Sequence, residues 1–139
     1  MALLNYNRSL LTNQVDTTFL PLTGLETLVL EFGLFVPQSV NFVELLTSVG
    51  WEVVNPVGSL QPTIRLVVLQ DGIAVASVHQ ESVVDGEDAD LEMTTSFQAV
   101  LTNVPAGHHV YRLLASNLQP AQGDIVISGP ANISGKVIS

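Results

Sequence analysis

Apolar and polar residues alternate along most of this chain with a period of two, the repeat of a strand packed on one side. Leu28, Leu30, Phe32, Leu34 and Val36 alternate with Val29, Glu31, Gly33 and Phe35, and Pro37 ends the run. Val43, Leu45, Thr47, Val49, Trp51 and Val53 form one face of a second run, opposed by Glu44, Ser48, Gly50 and Glu52. Its first half, from Phe42 to Val49, also fits a helical repeat; the β-branched neighbours favour a strand. Thr63 to Leu69 and Ile73 to Val78 flank Asp71-Gly72, a pair that tolerates positive φ and predicts a hairpin. Met93, Thr95, Phe97, Ala99 and Leu101 give a further strand, and Pro105 to Gly107 turns the chain into His108 to Leu114. Two short strands, Asp124 to Ser128 and Asn132 to Ile138, close the sequence around Gly129-Pro130.

About eight short strands, regularly spaced and without a credible helix, predict an all-β, two-sheet jelly-roll sandwich over residues 25–139. Residues 1–24 follow no clean period and are expected to form an extended N-terminal arm. Its apolar side chains (Leu3, Leu4, Leu10, Leu11, Val15, Phe19, Leu20 and Leu22) are candidate subunit contacts. Two readings of the arm stand: it packs along its own domain, or it adds a strand to a neighbouring subunit.

Composition narrows the function. The 139 residues suit one domain. Hydrophobic residues reach 47% and charged ones only 12%, more apolar surface than a small monomer usually hides, which points to subunit contacts. The formal charge is −9, and the four cations (Arg8, Arg65, Arg112, Lys136) are scattered singly. Neither a nucleic-acid phosphate backbone nor an anionic membrane surface is an expected partner. The absence of cysteine rules out disulfides and thiolate chemistry. No apolar run approaches a membrane span, and the first residues lack the pattern of a secretory signal, so the chain is expected either to be made without such export or to be numbered after processing.

Candidate chemistry is sparse. Six of the thirteen acids fall between Glu81 and Glu92. Asp85, Glu87, Asp88 and Asp90 are the weak candidates for cation ligands, although their spacing does not match the helix–loop–helix calcium motif. His108 and His109 are neighbours on a strand, face opposite ways and cannot chelate together; His79 is remote. Tyr111 should share a face with His109 and pack there. No Gly-x-Ser-x-Gly, no marked Ser–His–Asp set and no phosphate-binding glycine loop occurs, so neither an enzyme nor a cofactor is expected. Leu20 to Gly24 matches a sortase pentapeptide by chance, being at the wrong end of the chain. The sequons at Asn7 and Asn132 matter only in a eukaryotic secretory setting.

Several segments together carry a resemblance. They are residues 1–8 (Met-Ala-Leu-Leu-Asn-Tyr-Asn-Arg), 11–18 (Leu-Thr-Asn-Gln-Val-Asp-Thr-Thr), 49–51 (Val-Gly-Trp) and 69–72 (Leu-Gln-Asp-Gly). Residues 95–97 (Thr-Ser-Phe), 104–111 (Val-Pro-Ala-Gly-His-His-Val-Tyr) and 128–135 (Ser-Gly-Pro-Ala-Asn-Ile-Ser-Gly) complete the set. In these the chain resembles exosporium and spore-surface proteins of spore-forming Gram-positive bacteria, the exosporium protein C-like group in particular, and also spore appendage subunits. The resemblance implies a small jelly roll that forms trimers or fibres with itself, alone or with other spore-surface proteins. It implies deposition on the spore surface without a signal peptide. The cysteines that cross-link several appendages are missing, which leaves noncovalent assembly. The other reading of the fold is a binding module for carbohydrate or a protein partner; the chain's eight aromatics fall mostly at expected core positions, which favours the structural role.

Overall fold

The computed structural model describes residues 1–57, 61–82 and 91–139, the side chain of Leu91 excepted. Among these residues the chain is all-β. Nine strands run in order: β1 (Leu3–Thr12), β2 (Leu20–Leu22), β3 (Thr27–Val36), β4 (Phe42–Val54), β5 (Thr63–Gln70), β6 (Ile73–Glu81), β7 (Leu91–Thr102), β8 (Gly107–Asn117) and β9 (Asp124–Ile138). One sheet has the order β1-β9-β4-β7 with β2 also on β9, the other β3-β8-β5-β6, and all pairs are antiparallel. Apart from β1 and β2 and the β5–β6 hairpin, successive strands lie in opposite sheets, which is the winding of a jelly roll, as the periodicity predicts.

The inward rows of the two sheets form a single core. Trp51 and Tyr111 are its largest fully buried side chains, with Leu34, Leu45, Ile64, Leu66, Leu113 and Ile133 packed among them. Tyr111 stacks on Phe32 with ring centroids 5.4 Å apart, and its hydroxyl donates to Gln70 Oε1 at 2.8 Å. The segment from Phe42 to Val49 is strand throughout. Leu28, expected in the core row, is instead 50% exposed, because a register shift between Leu28 and Leu30 turns it outward.

The end of the chain departs from the expected pair of short strands. Gly129 and Pro130 do not interrupt β9, which runs through them; β2 lies along residues 125–127 and β1 along residues 131–138. Strand β4 shifts register against β9 between Val49 and Trp51, opposite this point. Gly50 is needed there, since any Cβ would collide with the Gly129 carbonyl. In the predicted hairpin, Asp71 and Gly72 take φ values of 50° and 84°, both left-handed, as a tight two-residue turn requires.

Candidate functional site

The arm contains two strands, and its apolar side chains divide between them and the link. Leu22 is buried in the chain's own core, with Leu4 and Leu20 half-buried against it. Leu3, Leu10, Leu11, Val15 and Phe19 are exposed, Phe19 by 70%. What anchors β1 across the sandwich is polar. Asn5 Nδ2 donates to the Phe35 carbonyl at 2.8 Å, and Asn7 Nδ2 donates to the Gly33 carbonyl at 2.6 Å. Each amide oxygen accepts the next backbone N–H, from Tyr6 and Arg8, at 2.9 Å. The two asparagines thus satisfy carbonyls on the outer edge of β3, and β1 closes this side of the sandwich. Sequence reasoning marked the leucines and missed the asparagines; the signal was their i, i+2 spacing, which matches that of Gly33 and Phe35.

Strand registers map the outer face of the larger sheet row by row. Leu3, Ile138, Phe42 and Thr102 share one row; Tyr6, Lys136, Glu44 and Val100 the next. Arg8, Ser134, Leu46 and Gln98 follow, then Leu10, Asn132, Ser48 and Ser96. Tyr6, Leu10, Phe42, Leu46 and Val100 each leave between 42% and 53% of their surface in solvent here. On the other sheet's outer face the charges are matched: Arg112 Nε meets Glu31 at 2.7 Å and Arg65 meets Glu26 at 3.3 Å. The remaining cations, Arg8 and Lys136, both lie on the larger sheet and form no ion pair among the described residues. A groove of about 330 Å³ runs beside Arg8, between Tyr6, Leu10, Asn13, Asn132 and Ser134. The hint in the sequence was Phe42 and Leu46, apolar residues in the row of β4 that otherwise carries Glu44, Ser48 and Glu52.

His108 and His109 point opposite ways, as expected, and His109 is buried. Its Nδ1 lies 2.5 Å from Asp71 Oδ2 and its Nε2 2.6 Å from the Pro105 carbonyl. A carboxylate and a carbonyl only accept hydrogen bonds, so a ring bonded to both carries two protons. Burial opposes that charge, but the bonds to Asp71 and Pro105 outweigh it and raise the pKa above its ordinary value. Asp71 is held below its ordinary value by the Val110 N–H, 2.8 Å from Oδ1, and then by His109. With both ring nitrogens occupied, the pair resembles a catalytic dyad in composition only. It ties the β5–β6 turn to the turn before β8.

Asp85, Glu87, Asp88 and Asp90, the expected weak cation ligands, lie outside the described residues. A different acidic group does form: carboxylate oxygens of Asp16, Glu52 and Glu92 fall within 4.8 Å of one another at one end of the larger sheet. Three oxygen donors suit a hard cation, and the group is open to water. Among the described residues no helix is long and apolar enough to cross a membrane. No protein-family model matches the chain, and no curated protein matches it.

Proposed function

We propose that this protein is a structural subunit that assembles with copies of itself, as fibre or coat material on a bacterial spore surface. The observation that supports self-assembly is the contrast between the two outer faces. One has its cations paired; the other combines five half-exposed large apolar side chains with two cations that form no ion pair among the described residues. Half-exposed aromatic and aliphatic groups around Leu46 gain by leaving water, at roughly 25 cal/mol per Å². The spore-surface setting rests on the sequence resemblance. Partners are other copies, with further spore-surface proteins as the wider context. The arm has a place in both of its readings: the β1–β9 ladder made here within one chain has the same bonds when β1 comes from a neighbour.

Sedimentation velocity and negative-stain imaging test this. The wild-type chain is expected to form particles larger than a monomer, and Leu46→Lys, which places a charge in the centre of the face, to dissolve them. A wild-type chain that stays monomeric at concentrations of about 100 μM rejects the proposal.

A second reading draws on the groove beside Arg8, whose guanidinium, amides and Tyr6 ring are the groups a module for acidic carbohydrate uses. Saturable binding of a carboxylated glycan on an array, lost in Arg8→Gln, would favour it over assembly.

A further inference from the structure

The side of the sandwich away from β1 is unfinished. Strands β6 and β7 end their sheets there, and among the described residues nothing pairs with their outer edges. Apolar side chains that touch the core without being covered gather on these two strands: Val75 and Val78 on β6, Met93, Phe97, Ala99 and Leu101 on β7. The corresponding rows of β4 and β9 are fully buried.

Strand β7 also lacks the features that keep sheet edges apart. It pairs with β4 over twelve successive residues without a register shift, so no bulge bends it away. It contains no proline and no lysine or arginine, and its one charge, Glu92, sits at its start. A straight, uncharged edge of this length invites another strand.

We propose that β7 is a pairing edge for β7 of a second copy, added antiparallel about a two-fold axis normal to the sheet. Two features select this occupant. The chain carries a net charge of −9, so copies repel except through neutral surface, and residues 93–102 are a neutral run. The strand is also self-complementary. Rotation about that axis keeps each face on its own side, so the core-side row of one copy, with Phe97 and Ala99, continues into the core-side row of the other, and only the residue nearest the axis faces its own counterpart. Ser96 and Gln98 likewise lie beside the solvent-side row of the second copy. The contact is isologous and closes as a dimer whose larger sheets are continuous. It rests on the self-assembly reading in taking a second copy as partner, and it differs from the face around Leu46, which would stack such dimers.

The chain has no cysteine, so single cysteines report the contact cleanly. Thr94→Cys, Ser96→Cys, Gln98→Cys and Val100→Cys, made one at a time in the full chain, test the register under mild oxidation, with Ser77→Cys on β6 as comparison. Disulfide-linked dimer is expected to peak at one β7 position and to fall off two residues away, because a disulfide demands close Cβ atoms. A double variant, Ser96→Lys with Gln98→Lys, sets like charges opposite one another and is expected to weaken dimerisation roughly tenfold or more by sedimentation. Circular dichroism confirms that these solvent-side variants keep the fold. Cross-linking that is even along β7 or no stronger than at Ser77, or sedimentation unchanged in the lysine variant, overturns the inference. Loss of the β7 signal with large particles intact removes the edge alone. Particles that survive Leu46→Lys while β7 still cross-links remove the face alone.

Discussion

Two polar side chains inside the sandwich show how much single residues decide here. Trp51 is fully buried, and its indole N–H donates to Thr95 Oγ1 at 2.9 Å; that hydroxyl in turn donates to Gln80 Oε1. The chain of bonds crosses from the larger sheet to β6 in the smaller. Thr95→Val keeps the shape and removes the hydroxyl that accepts from the indole, leaving a buried donor unsatisfied. The expected loss is about 1–3 kcal/mol, measured by urea unfolding. His109 makes a pH-dependent contribution. Its pKa is raised in the folded chain, so its stabilisation is complete below the ordinary value of 6.5 and disappears as pH rises through the folded value. Asp71 behaves in the opposite sense: its share is present above 3.8 and is lost as pH falls through its lowered folded value. The clasp is therefore at full strength between 3.8 and 6.5. Three other groups bear on it. His108 adds positive charge near Asp71, the Val110 N–H holds the second carboxylate oxygen, and the Tyr111 phenol, pushed up by burial, stays neutral. Unfolding at about pH 5.5 should need more denaturant than at about pH 9, and His109→Gln should flatten that difference. An imidazole resonance of His109 titrating below 6.5 would contradict the assignment.

At the scale of elements, strands with a plain inside and outside were legible and strands with another task were not. Strands β3, β4 and β7 alternate cleanly because one face meets the core and the other meets water. The Asp71-Gly72 turn was equally plain, since few residue pairs take its backbone angles. Strand β1 resisted. The atoms facing it across the sandwich are carbonyls of β3, which need donors, so Asn5 and Asn7 stand where a sequence reader looks for methyl groups. The sequence predicts two strands around Gly129-Pro130, because those residues ordinarily end strands; here they mark the hand-over from β2 to β1 along one continuous β9. The candidate face was only partly legible, since Phe42 and Leu46 break the polar row of β4 but register is needed to bring Tyr6 and Val100 beside them. Closure by asparagine has a measurable weight. Asn5→Ala and Asn7→Ala should each cost about 0.5–1.5 kcal/mol by denaturant unfolding. Asn5→Leu should be no better, although it adds apolar surface, because the Phe35 carbonyl needs a donor.

For the whole molecule, the question is whether a sandwich closed on one side by its own first strand can exchange that strand. The two sides differ in kind. On one, β1 pairs with β9 over most of its length and caps β3 through side chains; on the other, nothing among the described residues pairs with the outer edges of β6 and β7. Removing residues 1–12 exposes the edge of β9, where Ile133 and Val137 are now buried, together with the Gly33 and Phe35 carbonyls. The truncated chain should be less stable and prone to aggregate, as an unprotected edge dictates. A synthetic peptide of residues 1–12 supplied in excess should bind and restore stability, since a strand donated from outside makes the same ladder. Failure of that peptide to raise the melting temperature would mean that β1 depends on covalent continuity through residues 13–19, and exchange between subunits would lose its physical basis. Restoration that is lost with Asn5→Ala and Asn7→Ala in the peptide would place the recognition in the amides. Leu3, Leu10 and Leu11 of the arm, exposed here, would then be free for contacts between assembled copies.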